Sequence, residues 1–158
     1  MKGYDDGTFK PNANMTRAQV LSVISRAFGL TPKNPSPFKD ISQYAQQTQD
    51  EIVAAYEAGL VRENDGYFNP QGNITRSQLA LILMRLSNAF VGTAYDPAIT
   101  APFKDLANYD EETQVAITFL YDKGIVQGTS ATTFSPKGNV TRGQLAKILV
   151  LTMATIKY

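Results

Sequence analysis

The chain contains no cysteine, no histidine and no tryptophan. Without cysteine there is no disulfide, no thiol nucleophile and no thiolate-bound zinc. Without histidine there is no Ser-His-Asp triad and no imidazole base or metal ligand. An excess of charge is missing too: 15 Lys+Arg against 14 Asp+Glu leave a net +1, so no bulk field recruits nucleic acid or an anionic membrane. The longest apolar run, Leu79 to Met84, is too short for membrane insertion. Residues 1–30 show no secretory leader, since Met1-Lys2 runs straight into Gly3-Tyr4-Asp5-Asp6-Gly7; an exported protein would carry this chain as a mature portion. The lack of cysteine assigns no compartment, because many exported bacterial proteins do without disulfides.

What is present is 158 residues, 43% of them hydrophobic, enough for one compact domain or a short array with a real core. One segment occurs three times: Gly7-Thr8-Phe9-Lys10-Pro11 followed by Met15-Thr16-Arg17-Ala18-Gln19, then Gly66-Tyr67-Phe68-Asn69-Pro70 followed by Ile74-Thr75-Arg76-Ser77-Gln78, then Thr132-Thr133-Phe134-Ser135-Pro136 followed by Val140-Thr141-Arg142-Gly143-Gln144. Proline precedes threonine by five residues in every copy. A second segment occurs twice, Phe38-Lys39-Asp40 leading to Gly59-Leu60-Val61 and Phe103-Lys104-Asp105 leading to Gly124-Ile125-Val126, with 21 residues from Phe to Gly each time. If the Phe-Lys-Asp segment is a first half and the Thr-Arg segment a second half, the chain reads second, first, second, first, second.

Thr-x-x-Gln is a capping box, so each Thr is expected to start a helix, with the preceding Met15, Ile74 or Val140 packing as a hydrophobic staple. Apolar residues then recur at three and four: Val20, Val23, Ile24, Ala27 and Phe28; Leu79, Ile82, Leu83 and Leu86; Leu145, Ile148, Leu149 and Met153. The first half predicts helices over Thr48 to Ala58 and Thr113 to Lys123, with Ile52, Val53 and Tyr56 or Ile117, Leu120 and Tyr121 inside and Gly59 or Gly124 as left-handed caps. Asp6-Gly7 and Asp65-Gly66 read as turns, not as calcium loops, because their oxygen ligands are too few. Asp110-Glu111-Glu112 reads as charge at a helix start and not as half of a glycosidase carboxylate pair. Residues 31–37 and 92–102 are Pro-rich linkers, which divides the chain into repeat 1 (1–30, second half only), repeat 2 (38–91) and repeat 3 (103–158).

The order Phe-x-Asp, helix, Gly-apolar, Asp-Gly-x-Phe-x-Pro, apolar-Thr-Arg-x-Gln resembles the S-layer homology (SLH) domain over nearly the whole chain outside the linkers. The resemblance implies a mainly α fold, in which tandem helix-loop-helix repeats form a pseudo-threefold spindle around a central helical bundle, with very short extended segments. It also implies a noncovalent anchor, extracellular at the bacterial cell wall or S-layer, that binds anionic, including pyruvylated, secondary cell wall polysaccharide or a modified peptidoglycan-linked polymer through inter-repeat grooves. No catalytic residue, metal or cofactor is implied. The candidate glycan-binding set is Arg17, Arg76, Arg142, Thr16, Thr75, Thr141, Asp40, Asp105, Gly59 and Gly124.

Residue chemistry fits that role. An Arg at the first helical position is expected beside unpaired backbone N–H groups and the positive end of the helix dipole, where its planar fork suits a carboxylate. The competing reading is that each Arg braces a loop or pairs with Asp40 or Asp105. Gln19, Gln78 and Gln144 stand where many family members carry Glu, which keeps the cap and removes a negative charge. The family's usual Trp at the start of the first-half helix is replaced within Gln46-Gln47-Thr48-Gln49 and Glu111-Glu112-Thr113-Gln114, leaving Tyr4, Tyr44, Tyr67 and Tyr109 as candidates for stacking on sugar. The missing Trp and the incomplete first repeat motivate the alternative, a protein–protein assembly module that self-associates within a surface layer and binds no glycan.

Overall fold

A computed structural model describes residues 1–156. Among these, five α-helices carry the fold: α1 (Arg17–Ala27), α2 (Gln46–Glu57), α3 (Arg76–Val91), α4 (Glu111–Asp122) and α5 (Arg142–Thr155). Extended structure is confined to isolated antiparallel bridges, so the mainly α class read from the repeats holds.

The capping boxes form as the sequence dictates. Thr16, Thr75 and Thr141 each accept from the N–H three residues on, and Gln19, Gln78 and Gln144 each accept in return from the Thr N–H. Helices α2 and α4 begin two residues earlier than the sequence reading placed them. For α4 the reason is Asp110, whose carboxylate accepts from the Thr113 N–H and brings Glu111 and Glu112 into the first turn. Both helices end as expected at a left-handed glycine, Gly59 (φ 76°) and Gly124 (φ 66°). The N–H of Leu60 returns to the Ala55 carbonyl and that of Ile125 to the Leu120 carbonyl, the two Schellman closures. Asp65 (φ 51°) and Gly66 (φ 81°) turn the chain between paired Asn64 and Tyr67, a geometry that suits the primed hairpin turns.

The two halves of each full repeat are joined by aromatic packing. Phe38 lies 5.4 Å from Phe68 and 5.2 Å from Tyr56, centroid to centroid, and Phe103 repeats this at 5.4 Å from Phe134 and 5.5 Å from Tyr121.

Closure between repeats is made by backbone at the centre. Met15, Ile74 and Val140, each at most 1% exposed, are linked in a ring: Met15 N–H to Val140 C=O (2.9 Å), Val140 N–H to Ile74 C=O (3.1 Å), Ile74 N–H to Met15 C=O (3.0 Å). The residues expected to act as staples thus also form a threefold hub, at which the N-terminal ends of α1, α3 and α5 meet. From this hub α1 packs along α2 of the next repeat and α3 along α4 of the next, while among the described residues no helix lies along α5 in the same way.

Candidate functional site

Each Thr-Arg helix start is closed by the loop of another repeat. The N–H groups of Arg17 and Ala18 donate to the carbonyls of Gly72 and Pro70, those of Arg76 and Ser77 to Gly138 and Pro136, and those of Arg142 and Gly143 to Ala13 and Pro11, at 2.8–3.0 Å. The unpaired N–H groups expected beside the arginines are therefore occupied, and this corrects the helix-terminus anion site. A buried helix end must satisfy its first donors, and the threefold arrangement does so with backbone carbonyls in place of a ligand.

The guanidinium groups reach outward from those starts to a neighbouring repeat. Arg17 Nε donates to the Phe68 carbonyl (3.1 Å), Arg76 Nε to that of Phe134 (2.8 Å) and Arg142 Nε to that of Phe9 (2.8 Å). Each guanidinium lies over the ring of the same phenylalanine at 4.9, 4.6 and 4.9 Å from the centroid. Asp40 and Asp105 act on the same residues from the other backbone group. Asp40 accepts from the N–H of Phe68 and Asn69, and Asp105 from that of Phe134 and Ser135, at 2.8–3.0 Å. Arg and Asp thus brace one Phe-x-Pro segment together, and the Asn69 (φ 58°) and Ser135 (φ 59°) they hold stand in the left-handed region. Burial pulls the Arg17 and Arg76 guanidinium groups below their ordinary pKa, with Asp40 and Asp105 opposing the shift.

The Thr16, Thr75 and Thr141 hydroxyls are engaged in the caps, and Gly59 holds a helix end. Gly124 has a second location. It lies with Arg76 in a groove of 310 Å³ whose other lining includes Val126, Gln127, Gln144 and Lys147. In that groove Arg76 and Gly124, two candidates from separate segments, come together. Arg76 Nη2 is itself buried with no hydrogen-bond partner, the one such side-chain atom among the described residues. Sequence reasoning missed Lys147 and the 125–128 backbone. Lys147 falls three residues after Gln144, on one helix face with Ile148 and Leu151, and comparing this position across the three Thr-Arg helices (Ser22, Leu81, Lys147) would have singled it out.

The corresponding groove at Arg142 is lined by Lys2, Gln19, Ser22, Arg26, Tyr44 and Thr48, among others. Arg142 itself is 7% exposed, with Nη2 donating to the Lys2 carbonyl at 2.7 Å and its guanidinium over Tyr4 as well as Phe9. Of the other tyrosines, Tyr67 is 55% exposed beneath Lys39, and Tyr109 lines a wider hollow of 650 Å³ with Lys104, Asn108 and Lys137. At the positions of the family's Trp, Gln47 binds Glu51, while Glu112 pairs with Arg85 (2.7 Å) and Arg62 (3.0 Å).

Two helix-loop-helix repeats and a preceding half repeat, closed on a backbone hub with grooves lined by Arg76 and Arg142, make one tandem-repeat helical module. The S-layer homology domain model matches residues 1–21, 37–80 and 102–146. The chain belongs to the S-layer homology domain family, which places it outside the cell in association with the wall. Its relatives include an endoglucanase from Bacillus sp. (strain KSM-635), 34% identical over 93% of this chain and 16% of that protein. Others are the S-layer protein sap of Bacillus anthracis (29%; 96% of this chain, 18% of that one) and a cellulosome-anchoring protein of Acetivibrio thermocellus (25%; 94% and 34%). The chain spans about a third or less of these relatives, so the part they share with it is the repeat module and not the remainder of each protein.

Proposed function

We propose that the chain is a noncovalent anchor that holds a surface protein to the cell wall by binding an anionic wall polysaccharide in its inter-repeat grooves. The observation that carries this reading is the Arg76 groove, in which Arg76, whose Nη2 is buried and unpartnered, lines one hollow with residues 124–128 of the neighbouring segment. A buried donor without an acceptor costs about 1–3 kcal/mol, and an oxygen of a seated ligand removes that cost after a modest side-chain adjustment. The planar guanidinium suits a carboxylate, such as that of a pyruvate ketal. Relatives named as S-layer and cellulosome-anchoring proteins support the anchoring role.

The test is co-sedimentation of the chain with purified cell walls before and after chemical removal of the wall polysaccharide. Binding is expected to intact walls and to be lost with the polymer; equal binding to stripped walls would overturn the reading. A second reading, assembly with other copies, draws support from α5. Val150 occupies the place that Ser25 (0% exposed) holds on α1 and Met84 (5%) on α3, yet it is 67% exposed. Light scattering separates the two: a strict monomer at high concentration removes the second.

A further inference from the structure

The three Thr-Arg helices match one another position by position, and the third has a face that the other two cover. Ser25 on α1 and Met84 on α3 occupy the same place relative to their arginines and are both buried, and Ser25 Oγ donates to the Glu51 carbonyl of α2 (2.7 Å). This place therefore faces the first-half helix of the following repeat. Its counterpart on α5, Val150, is 67% exposed. Neighbouring positions agree: Leu21 and Ala80 are buried where Ala146 is half-buried, and Phe28 and Ser87 are buried where Met153 is half-buried. Ala146, Leu149, Val150 and Met153 recur at three and four, so they form one uncharged stripe along α5.

A second place is uncovered in the same way, and Arg142, which starts α5, donates to it at the Phe9 carbonyl. Phe68 and Phe134 are buried against Phe38 and Phe103 of the first halves, whereas Phe9 is only half-buried; Pro70 and Pro136 are buried, whereas Pro11 is exposed. Asn69 and Ser135 hold their left-handed backbone with an N–H bonded to Asp40 or Asp105. Lys10 has the same conformation (φ 51°), yet among the described residues neither its N–H nor that of Phe9 meets an acceptor. The α5 stripe is short of a helix and the Phe9 segment is short of a carboxylate; in repeats 2 and 3 a single segment supplies both.

We propose that the α5 stripe and the Phe9 segment form one docking site for a helix of a partner protein, of the kind that α2 and α4 are. That segment carries a Phe-x-Asp turn, then an amphipathic helix with aliphatic residues on its inner face, then a left-handed glycine. Its Asp takes the N–H groups of Phe9 and Lys10, its Phe packs on Phe9, and its helix covers Ala146, Val150 and Met153. Both such segments of this chain are committed, α2 to α1 and α4 to α3, so a second copy has none to offer. The inference goes beyond the anchor reading and does not depend on it, because no sugar takes part.

The experiment is titration of the isotope-labelled whole chain with a synthetic peptide of residues 102–126, a segment of the required chemistry, followed through backbone amide resonances. Binding is expected at one site per chain, with shifts confined to α5 and the Phe9 segment and with slowed exchange of the Phe9 and Lys10 N–H groups. Val150→Glu, an exposed change that leaves the fold intact, should weaken binding by about tenfold or more, since it sets a charge beneath the docked helix. A peptide carrying Asp105→Ala should bind about tenfold more weakly, the size of one charge-assisted hydrogen bond. A free peptide must order itself on binding, so the same segment joined ahead of Met1 gives a second measurement at high effective concentration. If the joined segment leaves the Phe9 and Lys10 amides exchanging as fast as before, or if Val150→Glu binds the peptide like wild type, the inference is overturned. Protection in the joined form with no peptide binding at millimolar concentration overturns docking from a separate protein. Shifts of the same α5 residues on concentrating the chain alone overturn it too, because they make a second copy the occupant.

Discussion

A single phenylalanine in each full repeat is held by two charged side chains that never need to touch one another. Asp105 takes the N–H of Phe134 and Arg76 its C=O, while Asp40 and Arg17 do the same at Phe68. This arrangement makes Asp105 a structural reporter of acid. Burial pushes the Asp105 pKa up, but the N–H groups of Phe134 and Ser135, helped by the charge of Arg76, outweigh it and hold the carboxyl below its ordinary value. A carboxylate with a depressed folded pKa stabilises the fold above its unfolded value, and that stability disappears as pH falls through the lower folded value. Asp105→Asn should therefore cost about 1–2 kcal/mol at neutral pH and give a shallower loss of stability below about pH 4 than wild type, read by urea denaturation across pH. The Phe-x-Asp and Thr-Arg motifs were both visible in the sequence. That they converge on the same backbone residue was not, because Asp40 and Phe68 are 28 residues apart and Arg17 and Phe68 are 51 apart.

At the scale of elements, helix starts and stops follow local rules closely, since caps are made within four or five residues. The exceptions lie where a cap uses a residue just outside the periodic pattern, as Asp110 does for α4. Two glycines after α4 separate local from tertiary demand. Gly124 has φ 66° and open space where a Cβ would stand, so Gly124→Ala meets only left-handed backbone strain, about 1 kcal/mol. Gly128 has φ 85°, and a Cβ there would fall 2.5 Å from the Phe103 ring and 2.7 Å from the Thr133 carbonyl oxygen. Gly128→Ala should cost about 3 kcal/mol or more, because backbone strain is joined by a clash in the aromatic cluster. Thermal denaturation of the two variants side by side checks the order; equal losses would mean the 125–128 segment yields, and with it one wall of the Arg76 groove.

The whole molecule is closed by a cycle in which each repeat completes its neighbours. Repeat 2 caps α1, repeat 3 caps α3, and the loop of repeat 1 caps α5. A chain cut to residues 1–91 would leave the first N–H groups of α3 without the Gly138 and Pro136 carbonyls, break two of the three hub bonds and bare the α3 face that α4 covers. It is expected to lose most helicity by circular dichroism and to show no cooperative melt, whereas the intact chain melts in one transition. An independently folded 1–91 fragment would show that the cycle is dispensable. The same cycle explains why three Thr-Arg motifs stand in different surroundings: the partners differ around the ring, with the Lys2 carbonyl at Arg142 and Lys147 in the groove at Arg76.

By itself the sequence determined the repeats, the capping boxes, the left-handed glycine stops, the buried stripes and the family, since each is written within one turn of helix or one fixed offset. It also singled out the three arginines. Only the tertiary structure decided what those arginines do, because the donors beside them are filled by carbonyls from another repeat and their guanidinium groups lie on another repeat's phenylalanine. It decided as well what surrounds each arginine, for Gln144 and Lys147 come to Arg76, and the Lys2 carbonyl to Arg142, from distant segments. Capping is local and survives translation along the chain; electrostatic surroundings are set by neighbours in space, and no single repeat contains them.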